Sequence, residues 1–251
     1  VTTSFSAISR GTERLIFNGK VPESEYDRMR APLQVGELPF PVRYGYACAG
    51  IGEDTNSALN GKPVFCLHPH QTAFLAPDTM IVPIPETVPQ ARAILAANME
   101  TALNALWDAS LRPGARCLVV GAGLLGWLIT ALLSRRNDVL ADITDIRTNP
   151  GVKADDFSVS LMTPDQVPQR SYDIAFHTSA SEGCLQTAID AIRQAYDTFT
   201  VPEILSVSAL AVVYTMAMLL LLTLTLVLPL YEIHTGVHCL DIALFLGLLS
   251  P

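Results

Sequence analysis

The amino-acid sequence predicts an α/β protein in which a small β-rich domain precedes a doubly wound parallel sheet. Residues 1–88 are dense in proline and glycine and hold short runs typical of strands. An apolar run at residues 116–120 leads into a glycine-rich turn and then into an apolar helical pattern. Strand-like runs at residues 138–145 and 172–177 follow. Their alternation with helical patterns is typical of a parallel sheet.

Three segments follow from these patterns. Runs such as residues 63–67 and 80–84 predict strands of a β domain at residues 1–88. We expect this domain to be incomplete at its N-terminus, because the sequence begins at Val1, directly with residues typical of a strand. Apolar side chains at three- and four-residue spacing predict a linking helix over residues 89–111. We therefore assign residues 1–88 to the β domain, 89–200 to the linking helix and parallel-sheet domain, and 201–251 to an apolar tail.

The glycine-rich turn indicates a ligand. Its spacing is Gly-x-Gly-x-x-Gly, which between a strand and a helix is typical of a dinucleotide-binding site. The first glycine permits the tight turn, the second lets the backbone approach a pyrophosphate, and the third lets the helix pack close to the strand. The free N–H groups of the new helix would face the phosphates. The expected contacts are Gly121, Gly123, Leu124, Leu125 and Gly126.

An acidic residue is expected about 20 residues beyond such a turn, where it accepts hydrogen bonds from the adenosine ribose. Asp142 and Asp145 both fall there, and we favour Asp145 because it ends the strand-like run. Its carboxylate would repel a 2′-phosphate and so select NAD. Arg147 could accommodate that phosphate, so NADP stays an alternative, and both acids could instead be solvated charges. Thr178 follows the last strand-like run, where open α/β sheets place ligands.

Composition excludes one class of partner and indicates a compartment. The formal net charge is −8, the pI is about 5.0, and no basic stripe is present, which argues against nucleic-acid binding. The five cysteines are scattered and form no Cys-x-x-Cys motif, so we expect reduced thiols and a cytoplasmic protein. These cysteines are Cys48, Cys66, Cys117, Cys184 and Cys239.

The tail contains an uncharged stretch that is long enough to cross a membrane. Residues 204–231 contain no Asp, Glu, Lys or Arg. One interpretation is a C-terminal membrane anchor. The alternatives are buried strands of the parallel sheet, which read as apolar runs, or a sequence that is not native to the fold. We do not favour the anchor, because no Lys or Arg cluster flanks the stretch to set its orientation.

The order of these segments resembles the medium-chain dehydrogenases. The matching residues are Ser6–Glu13, Tyr44–Tyr46, Pro63–Leu67, Glu100–Trp107 and the glycine-rich turn. The sequence is most similar to the zinc-free branch related to 2-desacetyl-2-hydroxyethyl bacteriochlorophyllide dehydrogenase. The resemblance covers roughly residues 1–195. It implies a GroES-like catalytic domain followed by a Rossmann domain, with the C-terminal part of the chain departing from the family pattern.

The resemblance also implies that this chain works without zinc. Zinc-dependent members carry Cys-Gly-Thr-Asp and Gly-His-Glu, where this chain has Arg10-Gly11-Thr12-Glu13 and Gly45-Tyr46-Ala47. The third zinc position is held by Ala97. Arg10, Tyr46 and Ala97 cannot replace the thiolates and imidazoles of a tetrahedral zinc site.

Two hydroxyl groups are candidates for the chemistry that zinc would otherwise assist. Thr12 matches the proton-relay hydroxyl of the family, and Tyr46 stands in place of a zinc-binding histidine. A neutral donor near the reacting oxygen could act as an acid. The alternatives are that Tyr46 packs in the core and that Thr12 caps a helix that begins at Glu13.

Three histidines have two interpretations each. His68 and His70 would share one face of a strand and could bind a metal, but with no third ligand in view ordinary surface or core histidines are favoured. His177 ends the last strand-like run, where a nicotinamide could lie, although a structural role is the more common one for such a residue.

The function predicted from these features is hydride transfer. We expect a zinc-independent NAD(P)-dependent oxidoreductase that acts on a small alcohol or carbonyl compound, with a homodimer as one possible state. The alternatives are an inactive truncated or frame-shifted dehydrogenase remnant and a membrane-anchored nucleotide-binding protein.

Purified protein should contain no stoichiometric zinc, because the three ligand positions hold Arg10, Tyr46 and Ala97. Elemental analysis after dialysis against zinc-containing buffer measures this directly. Zinc retained in a one-to-one ratio with the chain would contradict the prediction.

Overall fold

A computed structural model describes residues 1–147, 151–179, 181–192 and 203–206 of the chain. The described residues belong to two compact units, Val1–Ala97 and Asn98–Ser208. The boundary between the units falls inside one helix of the chain, Ala96–Asp108. Each unit has its own sheet.

The first unit is built on a four-stranded antiparallel sheet. Strands β1, β4, β5 and β6 are neighbours in that order, and β2 pairs with β3 in a separate two-stranded sheet. Turn residues divide these short strands, as the sequence predicts. The elements are β1 (Thr2–Ser6), α1 (Thr12–Phe17), β2 (Val35–Gly36), β3 (Val42–Arg43), β4 (Cys48–Ile51), β5 (Pro63–Cys66), β6 (Ile81–Pro83) and α2 (Gln90–Ala93), with short 3-10 helices at Glu23–Glu25 and Asp78–Met80.

The core of the first unit forms where α1 and α2 pack near the sheet. Ile16 of α1, Ala49 of β4 and Phe65 of β5 are buried in one cluster, together with Met29, which is fully buried. Burial of such apolar side chains is the main favourable contribution to folding. Tyr44 and Tyr46, on either side of Gly45, belong to the same cluster.

The second unit is a five-stranded parallel sheet. The strands lie in the order β9, β8, β7, β10, β11, so the third, second, first, fourth and fifth strands of this sheet are neighbours. This is the order of a Rossmann sheet over its first five strands. The elements are α3 (Ala96–Asp108), β7 (Arg116–Val120), α4 (Leu124–Ser134), β8 (Leu140–Thr144), β9 (Ser160–Met162), β10 (Ile174–His177), α5 (Glu182–Ala191) and β11 (Glu203–Ser206), with 3-10 helices at Ala154–Phe157 and Pro164–Gln166.

Strand β7 is the centre of this sheet. It pairs with β8 on one side and with β10 on the other, and Leu118 and Val119 are fully shielded from solvent. Strands buried on both faces read as continuous apolar runs, which explains the Cys-Leu-Val-Val sequence. The strand order reverses between β7 and β10, and open α/β sheets bind ligands at such a switch point.

The structure confirms the α/β class and adds detail that the sequence pattern lacked. The expected helix over residues 89–111 is two helices, α2 and α3, separated near Ile94. Strand β9 was not predicted, because its three residues, Ser-Leu-Met, have no clear periodicity. Residues 203–206 form β11, whereas residues 207–231 of the uncharged stretch lie outside the described part of the chain.

Among the described residues, the helices are all too short or too polar to span a membrane.

Replacing Gly126 with alanine should destabilise the second unit by about 1–3 kcal/mol, because the added Cβ would lie 1.9 Å from the Gly121 carbonyl oxygen. Gly123→Ala is the matched control. Within the described structure its Cβ would meet no atom within 4 Å, and we expect a cost below about 1 kcal/mol. Urea unfolding of both variants measures the difference. Equal stability of the two variants would contradict this packing.

Candidate functional site

The glycine-rich turn connects β7 to α4 at the switch point of the sheet. Gly121 has a φ of +112°, a conformation that favours glycine, and its N–H donates to the Thr144 carbonyl oxygen at 2.8 Å. Gly126 lies against the Gly121 carbonyl, where no side chain fits. Gly123, in contrast, faces open space among the described residues. The turn is thus held by its first and third glycines and left accessible at its second.

Helix α4 presents its N-terminus next to this open position. Gly123 is the N-cap, and its carbonyl accepts the Trp127 N–H at 3.0 Å. The N–H groups of Leu124, Leu125 and Gly126 precede that bond and have no acceptor within the helix. Because the helix dipole also places positive potential there, the arrangement suits an anionic group such as a pyrophosphate.

Asp145 directly follows β8, and its carboxylate contacts the turn. One carboxylate oxygen accepts the Ala122 N–H at 2.7 Å, and the other accepts the Arg147 N–H at 2.8 Å. The Arg147 guanidinium donates to both oxygens, at 2.9 and 3.0 Å, and also to the Ala122 carbonyl at 3.0 Å. Asp145 is buried, whereas the Arg147 side chain is 48% exposed. The pair therefore joins the end of β8 to the turn.

The Asp145–Arg147 pair has a definite electrostatic consequence. Hydrogen bonds from the Arg147 side chain lower the pKa of Asp145 below its usual value, with further contributions from the backbone N–H groups of Arg147 and Ala122. The carboxylate is thus ionised and neutralised by its partner. Asp142, the other candidate, lies within β8 and accepts a hydrogen bond from the Tyr172 hydroxyl at 3.0 Å.

The end of β10 forms the other side of the switch point. The Thr178 hydroxyl donates to the Gly121 carbonyl at 2.9 Å, so this predicted contact lies on the turn itself. His177 Nε2 and the Thr144 hydroxyl are buried and have no hydrogen-bond partner among the described residues. Burial lowers the pKa of His177. Two unpartnered polar atoms at the ends of β8 and β10 are consistent with a ligand at this edge of the sheet.

The structure brings Thr12 and Tyr46 of the first unit together. Both residues are buried, and the Tyr46 hydroxyl lies within hydrogen-bonding reach of the Thr12 and Ser9 hydroxyls. Burial raises the pKa of Tyr46, so its phenol is neutral and able to donate. The N-cap of α1 is Gly11 and has no side-chain cap, so Thr12 does not cap the helix.

A hydrogen-bonded row next to this pair was not predicted. The Glu13 carboxylate accepts the Ser9 N–H at 3.0 Å and pairs with His70 Nε2 at 2.7 Å. His70 Nδ1 is hydrogen-bonded to the Ser6 hydroxyl. Ser6 and Glu13 both lie in a segment that matches the medium-chain dehydrogenases, so the sequence pointed to these two residues. It gave no sign that His70, which is 57 residues from Glu13, would join them.

The other histidine of this segment has a packing role. His68 is buried and stacks on the Phe74 ring at 3.9 Å, and the segment of His68 and His70 is a loop, not a strand. Arg10 is exposed, whereas Ala97 is buried. Within the described ranges, no group of three or more His, Cys, Asp or Glu side chains is placed to hold a metal ion. That the protein binds no stoichiometric zinc stays a prediction, which elemental analysis of the purified protein tests.

No protein-family model matches this chain, and no curated protein matches its sequence. Solved structures match its fold. A probable oxidoreductase from Mycobacterium abscessus matches with a TM-score of 0.64 and 17% identity, over 100% of this chain and 79% of that one. A quinone oxidoreductase from Thermus thermophilus matches with a TM-score of 0.54 and 18% identity, over 74% of this chain and 59% of that one. An alcohol dehydrogenase from Thermus sp. ATN1 matches with a TM-score of 0.53 and 17% identity, over 82% of this chain and 72% of that one.

These likenesses concern the fold. The chain spans 59% of the length of the quinone oxidoreductase, and each identity is below 20%. With the parallel sheet in Rossmann order, they confirm the predicted fold class of a GroES-like unit followed by a Rossmann unit. The assignment to one zinc-free branch stays a prediction.

Asp145→Asn should lower the free energy of unfolding by about 1–3 kcal/mol near neutral pH, because it removes a charge-assisted network. The folded-state pKa of Asp145 is lowered, so its contribution is present above the unfolded pKa and is lost as pH falls through the folded one. The difference from the wild type should therefore shrink in acid.

Urea unfolding across an acidic pH series measures this. Asp156→Asn, which changes an exposed carboxylate of the same unit, is the control and should leave stability nearly unchanged at every pH. A difference between Asp145→Asn and the wild type that does not depend on pH would contradict the role of the charge.

Proposed function

We propose that this protein is an NAD(P)-dependent oxidoreductase that transfers hydride between the cofactor and a small alcohol or carbonyl compound. The observation that carries the proposal is the glycine-rich turn at the switch point, with Gly123 open and the N-terminus of α4 next to it. Two of the similar structures, a quinone oxidoreductase and an alcohol dehydrogenase, belong to the class of activity that we propose.

The residues of the turn fit a dinucleotide. Gly123 leaves room for a pyrophosphate, and the N–H groups of Leu124 and Leu125 would donate to it. Thr178 holds the Gly121 carbonyl and so keeps the turn closed toward β10. A bound nicotinamide would supply the hydride chemistry, while the chain binds and orients it.

The choice between NAD and NADP depends on the Asp145–Arg147 pair. A free carboxylate at Asp145 would select NAD, as the sequence suggests. In the structure both carboxylate oxygens are engaged and neutralised, and the guanidinium of Arg147 is half exposed. We therefore propose that NAD binds without strong discrimination against NADP.

The substrate would be handled by the first unit. We propose that Thr12 and Tyr46 act as a fixed pair of hydroxyl groups that supports the substrate oxygen in place of zinc. The contact between the two residues and the neutral state of the Tyr46 phenol support this role. Because Thr12 and Tyr46 are both buried, a more exposed group is needed to exchange protons with the solvent.

Gly123→Val should weaken NADH and NADPH binding at least about tenfold, because its side chain would occupy the space into which the phosphates must come. Fluorescence titration with each reduced cofactor measures the dissociation constants. Gly11→Val is the matched control, because Gly11 is also the N-cap of a helix and also has room for a side chain.

A Gly123→Val protein with wild-type stability and unchanged affinity for both cofactors would rule out this site. Failure of the wild type to bind either cofactor would overturn the proposed function itself.

A further inference from the structure

Ser6, His70 and Glu13 form a hydrogen-bonded row that has no role in the proposed function. Ser6 is the last residue of β1, Glu13 lies in the first turn of α1, and His70 follows β5. The His70 ring is fixed in three ways: by Glu13 at Nε2, by Ser6 at Nδ1, and by contact with Gly45, where an added Cβ would lie 2.7 Å from the ring. The backbone N–H of His70 also donates to the Tyr44 carbonyl at 3.3 Å.

The hydrogen bonds determine which groups donate. An ionised carboxylate only accepts, so His70 Nε2 carries a proton and donates it to Glu13. The titratable groups that face His70 are Cys48 on β4 and Glu13 on α1, and together they raise the pKa of His70 to about 9. When the ring is protonated, Nδ1 also carries a proton and donates it to Ser6. The Ser6 hydroxyl is then free to donate its own proton outward.

Exposure distinguishes this row from the Thr12–Tyr46 pair. Ser6 is exposed, and the His70 side chain is 27% exposed, whereas Glu13 is 10% exposed and Thr12 and Tyr46 are buried. The row thus leads from a shielded carboxylate to an accessible hydroxyl. It begins at the residue that follows Thr12, and it packs against Gly45, the residue that precedes Tyr46.

We propose that Ser6 protonates the carbonyl oxygen of the substrate during reduction, with His70 and Glu13 as the positioning pair that supplies the proton and balances its charge. This inference rests on the proposed function, because it requires hydride transfer to a carbonyl. The Thr12 and Tyr46 hydroxyls would support the substrate oxygen, and the row would supply the proton that this oxygen gains.

The step balances in atoms and charge. As the carbonyl carbon gains hydride from the reduced cofactor, the electron pair of the C=O π bond moves to oxygen, which takes the Ser6 hydroxyl proton. Ser6 takes the Nδ1 proton of His70 at the same time. His70 becomes neutral and regains one proton from the solvent, and the products are the alcohol and the oxidised cofactor.

The test combines a spectroscopic and a kinetic measurement on the full chain. The NMR titration of the His70 ring gives its pKa in the wild type and in Glu13→Gln, without any cofactor. Initial rates with NADH or NADPH and a panel of aldehydes, ketones and quinones then give kcat, KM and the pH profile. Variants Ser6→Ala and His70→Gln are compared with Ser4→Ala, which removes an exposed hydroxyl from the same strand.

The expected result is a kcat about 10²-fold lower in Ser6→Ala and His70→Gln, with the affinity for the reduced cofactor unchanged. Reduction by the wild type should decline as pH rises through the pKa measured for His70. Both the pKa and the decline should move to lower pH in Glu13→Gln. Ser4→Ala should resemble the wild type.

Two results would overturn the inference while leaving the function in place: a wild-type kcat in Ser6→Ala, or a decline of the wild-type rate that does not coincide with the titration of His70. The second comparison needs no variant and stands even if a variant fails to fold. No turnover of any probe by the wild type, despite cofactor binding, would overturn the hydride-transfer function and this inference together.

Discussion

The contact between Gly126 and the Gly121 carbonyl is the constraint on which the second unit depends. It lets α4 begin directly against β7, and only a residue without a side chain permits it. The Gly121 N–H and the Ala122 N–H are then tied to β8 through Thr144 and Asp145. The turn is therefore held by these contacts and open at Gly123. A binding site that is fixed before the ligand arrives loses less conformational entropy on binding, which favours affinity.

The two units divide the proposed work between them. The second unit offers backbone N–H groups and a helix N-terminus, which suit phosphates. The first unit offers hydroxyl, imidazole and carboxylate groups in a compact arrangement around Thr12 and His70. The negative net charge of the chain is compatible with phosphate binding at the turn, because the free N–H groups and the dipole of α4 act locally.

The sequence predicted the parallel sheet, its turn and the residue at the end of β8, because apolar runs and glycine spacing are local signals. It did not predict that Asp145 would be engaged by Ala122 and Arg147, since the direction of a side chain depends on contacts that no spacing encodes. The row of Ser6, Glu13 and His70 was missed for a similar reason: His70 is 64 residues from Ser6 and 57 residues from Glu13, and the antiparallel pairing of β1, β4 and β5 brings these segments of the chain together. Strand β9 was too short to show a period.

The most direct test of the account is a ¹H–¹⁵N NMR titration of the labelled protein with NADH, repeated with NADPH. Because the open position of the turn and the N-terminus of α4 are proposed to hold the pyrophosphate, the amides of Gly123, Leu124 and Leu125 should show the largest shifts, with a smaller change at Ala122 behind them. Saturable shifts confined to other parts of the chain, or no shift at these amides at concentrations that saturate binding, would contradict the account.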